Sequence, residues 1–287
     1  MTVLFEKGKE GLLDGTLDLD TDTIKVALLD LDGATDTGVK AITAASNATP
    51  IVVTSTSHGF TNADFVYIDG VGGNLSANGI YKIANVAANT FELTRLDGTN
   101  VAGFAAYTSG GYAVCLGPSA SGDNYDDING CLIGTATALA SRTVTSGIFD
   151  AADTTISAVT GNSVEAALIF EDTGTPSTSR LLQLLTGKHL VKVAADAAAS
   201  ATTIWVEPLA EAIANATVLT FSNGKQATLS AGPSAGARSI SVTALADAIA
   251  AGNQALAPKT SSGFPVTPNG GDITVAYSNS TYKIFGI

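Results

Sequence analysis

The 287 residues exceed the usual single-domain size and predict two or three domains. Apolar residues at 45% can fill real cores, and charged residues at only 14%, with much Thr, Ser and Gly, suit short strands joined by tight turns. A net charge of −12 with no Lys/Arg cluster excludes a phosphate-neutralising groove, and with it a nucleic-acid partner, though it names no other partner.

The N-terminus, "MTVLFEKGKEGLL", is broken by charge and Gly and has no hydrophobic leader core. No apolar run approaches the roughly 20 residues that span a bilayer. The expectation is a soluble product without an export signal and without a membrane partner.

Residues 3–13 predict a short helix carrying Leu4, Phe5, Leu12 and Leu13, weakened by two glycines. In "GTLDLDTDTIKVALLD", Leu17, Leu19, Ile24, Val26 and Leu28 read as strand residues facing a core. The parity changes near Thr21–Thr23, so a bulge or a turn is expected there.

Residues 41–115 read as a self-contained unit with five strand-like runs, "PIVVTST", "DFVYIDGV", "GIYKIANV", "NTFELTRL" and "AAYTSGGYAVCL". Good turn chemistry separates them, and a small closed or nearly closed barrel is the economical way to bury their faces. "HGF" falls where the first strand ends. Gly59 can supply the positive φ of a corner, and Asn62 and Asp64 favour the following turn. This assigns His58 to a turn instead of to catalysis, which needs a presented nucleophile or carboxylate partner. Cys115 and Cys131 are too few for a disulfide framework and lack metal-ligand spacing, so buried free thiols are expected.

From Asp123 the strand candidates are 141–146, 153–159, 164–171 and 179–185, with "SVEAALIF" apolar enough to be central and "EDTGTPSTS" a turn. Residues 187–261 contain a repeat, in which "ASATTIWVEPLAEAIANATVL" aligns with "AGARSISVTALADAIAAGNQA" at an offset of 36. Ile204/Ile240, Val206/Val242, Leu209/Leu245 and Ile213/Ile249 match in type. Two copies pairing into one pseudo-symmetric β-lobe is one reading, since one copy alone cannot bury its apolar face. Two short helices through "LAEAIANA" and "LADAIAAG" are the other. The last stretch reads as a Pro/Gly-rich loop and a final hairpin. Its strands carry Ile273, Val275 and Tyr277, then Tyr282, Ile284 and Gly286.

Two resemblances rest on these segments. "TSTSHGFTNADFVYIDGVGG" followed by "NGIYKIANVAANTFELT" resembles a small β-module common in tailed-bacteriophage particle proteins. That module is similar to the first catalytic-cysteine half-domain of ubiquitin-activating enzymes; there it is an added scaffold, so no ubiquitin chemistry is implied. Residues 1–35, 120–186 and 262–287 resemble a compact virion structural protein of tailed phages, through "LFEKGKEGLLDGTLDLDTDTIKVALLD", "GIFDAADTTISAVTGNSVEAALIFEDTGTPSTSRLL" and "GFPVTPNGGDITVAYSNSTYKIF". In that family the pieces are nearly contiguous and form one small all-β domain. The present chain departs from it by two inserts, placed where long insertions cost little closure entropy.

The chain carries few residue patterns that suggest chemistry. Asp18, Asp20 and Asp22 alternate like the first ligands of a calcium loop, but Thr23 and Leu29 stand where that loop needs Gly and Glu. Asp126/Asp127 and Asp150/Asp153 are the obvious carboxylate pairs for glycoside hydrolysis. No stacking platform accompanies them, because Trp205, the only Trp, sits inside a strand-like run. His189 precedes "LVKV" and reads as a strand entrance; nucleophile elbows and phosphate loops are missing. No catalytic, cofactor-binding or metal-ligating residue is assigned, and the chain is not expected to be an enzyme.

The expected fold is all-β, with a discontinuous β-sandwich-like core (1–40, 116–186 and 262–287) carrying two inserts. These are a small β-barrel (41–115) and a β-lobe (187–261) whose repeats span 191–221 and 227–257. The resemblance implies a virion structural component made in the host bacterial cytoplasm, foremost an accessory head protein that decorates or cements the capsid. Its expected partners are phage structural proteins, the major capsid protein first among them, with further copies of itself in a homo-oligomer. A tail-associated or fibre-like protein contacting a host-surface glycan is the alternative.

Overall fold

Residues 3–32, 36–95, 97–118, 122–259, 263–277 and 284–286 are described by a computed structural model. The chain opens with β1 (Val3–Leu4), α1 (Glu6–Asp14) and β2 (Ile24–Leu29). Seven short strands follow: β3 (Val39–Ala41), β4 (Ala44–Ala45), β5 (Val52–Thr54), β6 (Phe65–Asp69), β7 (Gly79–Ala84), β8 (Thr90–Thr94) and β9 (Tyr112–Gly117). Next come β10 (Leu132–Ala138), β11 (Thr143–Thr145), β12 (Ile148–Asp150), β13 (Thr154–Ile156), β14 (Ala166–Glu171) and β15 (Leu181–Thr186). The series continues with β16 (Lys188–Lys192), β17 (Thr203–Trp205), β18 (Val218–Thr220), β19 (Gln226–Thr228), β20 (Ser239–Ser241) and β21 (Gln254–Pro258). It ends with β22 (Ile273–Val275) and β23 (Phe285–Gly286). The protein is all-β, with α1 its one α-helix among the described residues.

The strands group into two units. One joins Lys40–Cys115 to Gly187–Ser262; the other joins Thr2–Val39, Leu116–Thr186 and Gly263–Ile287.

In the second of these, a five-stranded sheet runs in the order β1-β15-β14-β2-β10, all antiparallel. The middle strand, β14, is buried along its whole length, which explains why "AALIFE" reads as an apolar run without alternation. Ile24, Val26, Leu28, Ala167, Ile169 and Leu182 of this sheet share a core with Phe149, Ile156 and Val275 of the small sheets β11-β12-β23 and β13-β22. The three sheets thus share one buried core.

Three sequence-based assignments change here. Leu17 and Leu19 are buried in this core, yet they precede β2 in turn-rich backbone rather than in a strand. Strand β10 shows no readable alternation because Gly, Thr and Ala dilute its pattern, and β12 is only three residues, too short to show a period. The final hairpin is not one: β22 pairs with β13, and β23 pairs with β12. Tyr282 lies outside the described residues.

Helix α1 explains its own weak composition. An ideal Cβ on Gly8 would stand 2.5 Å from the Leu181 carbonyl oxygen and 2.9 Å from Leu182 Cα, and Gly11 sits against the Arg180 guanidinium. The glycines let the helix lie directly on β15, trading helix propensity for close approach.

In the other unit, residues 39–117 form a seven-stranded sheet in the order β3-β9-β6-β7-β8-β5-β4. Its two end strands belong to one continuous segment. Ile42 N–H donates to Gly111 O (2.8 Å) on one side, and Thr43 N–H to Thr54 O (2.9 Å) on the other, so the sheet closes on itself. The interior holds Val53, Val66, Ile68, Tyr81, Ile83, Phe91, Leu93 and Cys115. Only the second half of "AAYTSGGYAVCL" is strand.

Residues 187–259 carry the 36-residue offset into backbone pairing. Ile204 lies opposite its own counterpart, Ile240, where β17 meets β20. The Val193–Val206 bridge recurs as Leu229–Val242. Ser200 N–H to Leu245 O recurs, exchanged between copies, as Gly236 N–H to Leu209 O, both 2.8 Å. Each copy therefore completes the other's ladder about a local two-fold. Neither "LAEAIANA" nor "LADAIAAG" is helical. Ile204, Val206, Leu219, Leu229, Ile240 and Val242 fill the shared interior.

This lobe docks on the barrel through polar groups. The Gln254 side chain donates to Ile80 O (2.7 Å), Arg95 donates to Asn253 Oδ1 (2.7 Å), and Lys188 pairs with Asp69 (2.6 Å).

Candidate binding surface

The polar residues that stand out in the sequence are mostly spent on structure. His58 is buried; its Nδ1 accepts from Phe60 N–H (3.1 Å), which places the ring proton on Nε2. The ring meets Phe91 edge-on, with centroids 5.1 Å apart and planes at 82°. Burial pushes its pKa down. Gly59 adopts φ +75°, and Asp64 accepts from Thr61 N–H (2.7 Å) and Thr61 Oγ1 (3.1 Å) to close the next turn. The His-Gly and Asp positions of this motif build a corner.

The acidic candidates behave alike. Asp22 accepts from Asp18 N–H (2.8 Å), and Asp18 from Asp20 N–H (2.9 Å), so these carboxylates pin a turn. Asp127 accepts from the Asp123 and Asn124 amides (3.1 and 3.0 Å), while burial pushes its pKa up in spite of them. Asp126 is exposed beside it. Asp153 accepts from Tyr277 N–H (2.9 Å), holding the segment after β22. Asp150 lies half-buried in β12. Among the described residues no three His, Cys, Asp or Glu side chains gather as a metal site.

Both cysteines are buried thiols that form no disulfide. The Cys131 thiol is pushed up to about 12, first by burial and then by the Asp36 carboxylate beside it. A thiol of that kind is a poor nucleophile at neutral pH. His189 is buried in β16 with neither ring nitrogen hydrogen-bonded, and its pKa falls to about 4, chiefly through burial and then through Lys259.

The side chain that reverses its sequence reading is Trp205. It does lie in a strand, but it is 58% exposed. Alternation along "TTIWVE" turns Ile204 and Val206 inward, to full burial, so Thr203, Trp205 and Glu207 point out. That period-two alternation is present in the sequence itself. Across the ladder, Ser239 lies opposite Trp205 and Ser241 opposite Thr203. On the other side Glu207 pairs with Lys192 at 2.7 Å. The result is a rigid, outward β-face with one bare indole among hydroxyls and a neutralised ion pair.

Among the described residues, no helix is long and apolar enough to cross a membrane. Compared with known proteins, the sequence matches no family model and no curated protein at a significant level.

Proposed function

We propose that this chain is a structural component of a tailed-phage particle, working through protein–protein contacts, in the first instance as an accessory head protein that decorates or cements the capsid lattice. The observation that carries this reading is the division of labour among side chains. Residues with chemical potential close turns, while large apolar side chains such as Leu13 (82% exposed) and Val144 (44% exposed) stand bare on rigid elements. The resemblance of residues 1–35, 120–186 and 262–287 to phage virion proteins supports the same reading.

The mechanism is burial of surface between neighbouring capsomers. About 800 Å² per partner suffices for specific docking, and many copies on a symmetric lattice multiply a modest contact. Quantitative mass spectrometry of purified particles tests this: hundreds of copies per particle are expected, and a handful would move the protein to the tail. Leu13→Asp should lower its copy number without changing its fold. Absence from particles altogether would reject the reading.

A further inference from the structure

The bare indole on the repeat lobe has a chemistry of its own. A buried, satisfied Trp needs no ligand, but Trp205 is the chain's single Trp and presents its side chain to solvent from a three-residue strand held on both sides. Its neighbours on that face of the two strands, Thr203, Ser239 and Ser241, are small. A protein-docking anchor is instead surrounded by apolar contacts that exclude water, and these strands offer none on this face. The ring is too isolated for a lipid surface, and a net charge of −12 repels the phosphates of a stacked nucleotide.

What remains complementary is a pyranose. One face of a hexose is a patch of C–H groups that lies flat on an indole. Its rim of hydroxyls needs both donors and acceptors. The Thr203, Ser239 and Ser241 hydroxyls supply both, Glu207 accepts and Lys192 donates. Because Glu207 and Lys192 neutralise each other, the face favours an uncharged sugar. We infer that the outward face of β17 and β20, centred on Trp205, binds a neutral hexose unit of a glycan. This holds independently of whether the chain is assembled into a virion.

The test uses the full chain and Trp205 emission as a direct reporter. Neutral β-linked gluco- and galacto-oligosaccharides are titrated in, with a uronate-containing oligosaccharide as the charged control. A saturable change in emission is expected for at least one neutral sugar. Calorimetry should show binding about tenfold weaker or worse in Trp205→Ala, with partial retention in Trp205→Phe. Thr203→Arg, which keeps the indole but lays a long side chain beside it, should also block binding. No saturable response to any neutral sugar, a stronger response to the uronate, or undiminished binding in both Trp205→Ala and Thr203→Arg would overturn the proposal.

Discussion

His189 shows most plainly what a buried polar side chain costs this molecule. Both its ring nitrogens lack partners, Lys259 repels its protonated form, and the Glu211 carboxylate that could offset this is already paired with Lys259 at 3.0 Å. The folded-state value near 4 lies below the ordinary 6.5 of a free imidazole. Between those two pH values the unfolded chain takes a proton that the folded chain refuses. Stability attributable to this residue is therefore intact above pH 6.5 and declines as pH falls toward 4, by about 3 kcal/mol at most. His189→Leu should flatten that part of the stability profile and raise the denaturation midpoint at neutral pH, since it also removes two unsatisfied buried atoms. Denaturant titrations of both proteins at several pH values check this; parallel profiles would show that His189 finds a partner in solution. His58 differs, because its Nδ1 is satisfied by Phe60 and replacing it would also open a turn.

At the scale of elements, the contest between propensity and packing is sharpest in α1. Gly8→Ala would favour an isolated helix by about 1 kcal/mol. Here the added methyl meets the Leu181 carbonyl and the Leu182 backbone, which cannot move without disturbing β15. Overpacking of this kind costs about 1–3 kcal/mol, so a net loss and a lower melting temperature are expected. A rise in melting temperature would mean that the helix is not seated on β15. The same element shows what can be read from a chain and what cannot. Alternation is local, and it revealed β5 to β8 and the inward row of the repeat. The 36-residue offset was legible because matching Ile, Val and Leu positions face one shared interior. Partner choice is not local. "DITVAY" and "KIFGI" sit close together as two strands in sequence, but Ile156 and Phe149 supply their neighbours from more than a hundred residues away. The exposure of Trp205 is hidden for a different reason: a strand position says nothing about burial until the side that faces the core is known.

The molecule as a whole joins sequence-distant segments, and within the unit of Lys40–Cys115 and Gly187–Ser262 that union hangs on a few buried groups. Gln254 is the tightest of these. Its amide bonds both ways with the backbone of Ile80, donating to the carbonyl at 2.7 Å and accepting from the N–H at 3.4 Å, so it acts as one extra rung on β7. Beneath it Tyr81 is fully buried, with its hydroxyl donating to Ser76 O at 2.6 Å. Gln254→Ala leaves both Ile80 groups without that rung and should cost about 1–3 kcal/mol. Gln254→Glu should cost more at neutral pH than at acid pH, because a carboxylate can only accept, faces the Ile80 carbonyl and is buried. The effect should reach beyond stability to cooperativity. Trp205 reports on the lobe alone, while hydrogen exchange at Ile83 and Leu93, whose amides bond to Asp64 O and Ile51 O, reports on the barrel. In the native chain both should lose structure at one denaturant concentration, as a single cooperative unit does. In Gln254→Ala the lobe, built of two-stranded sheets, should melt first, because it loses the barrel's support while the barrel keeps its own seven-stranded sheet. Two transitions already separate in the native chain would show that the segments share a surface without sharing a fold.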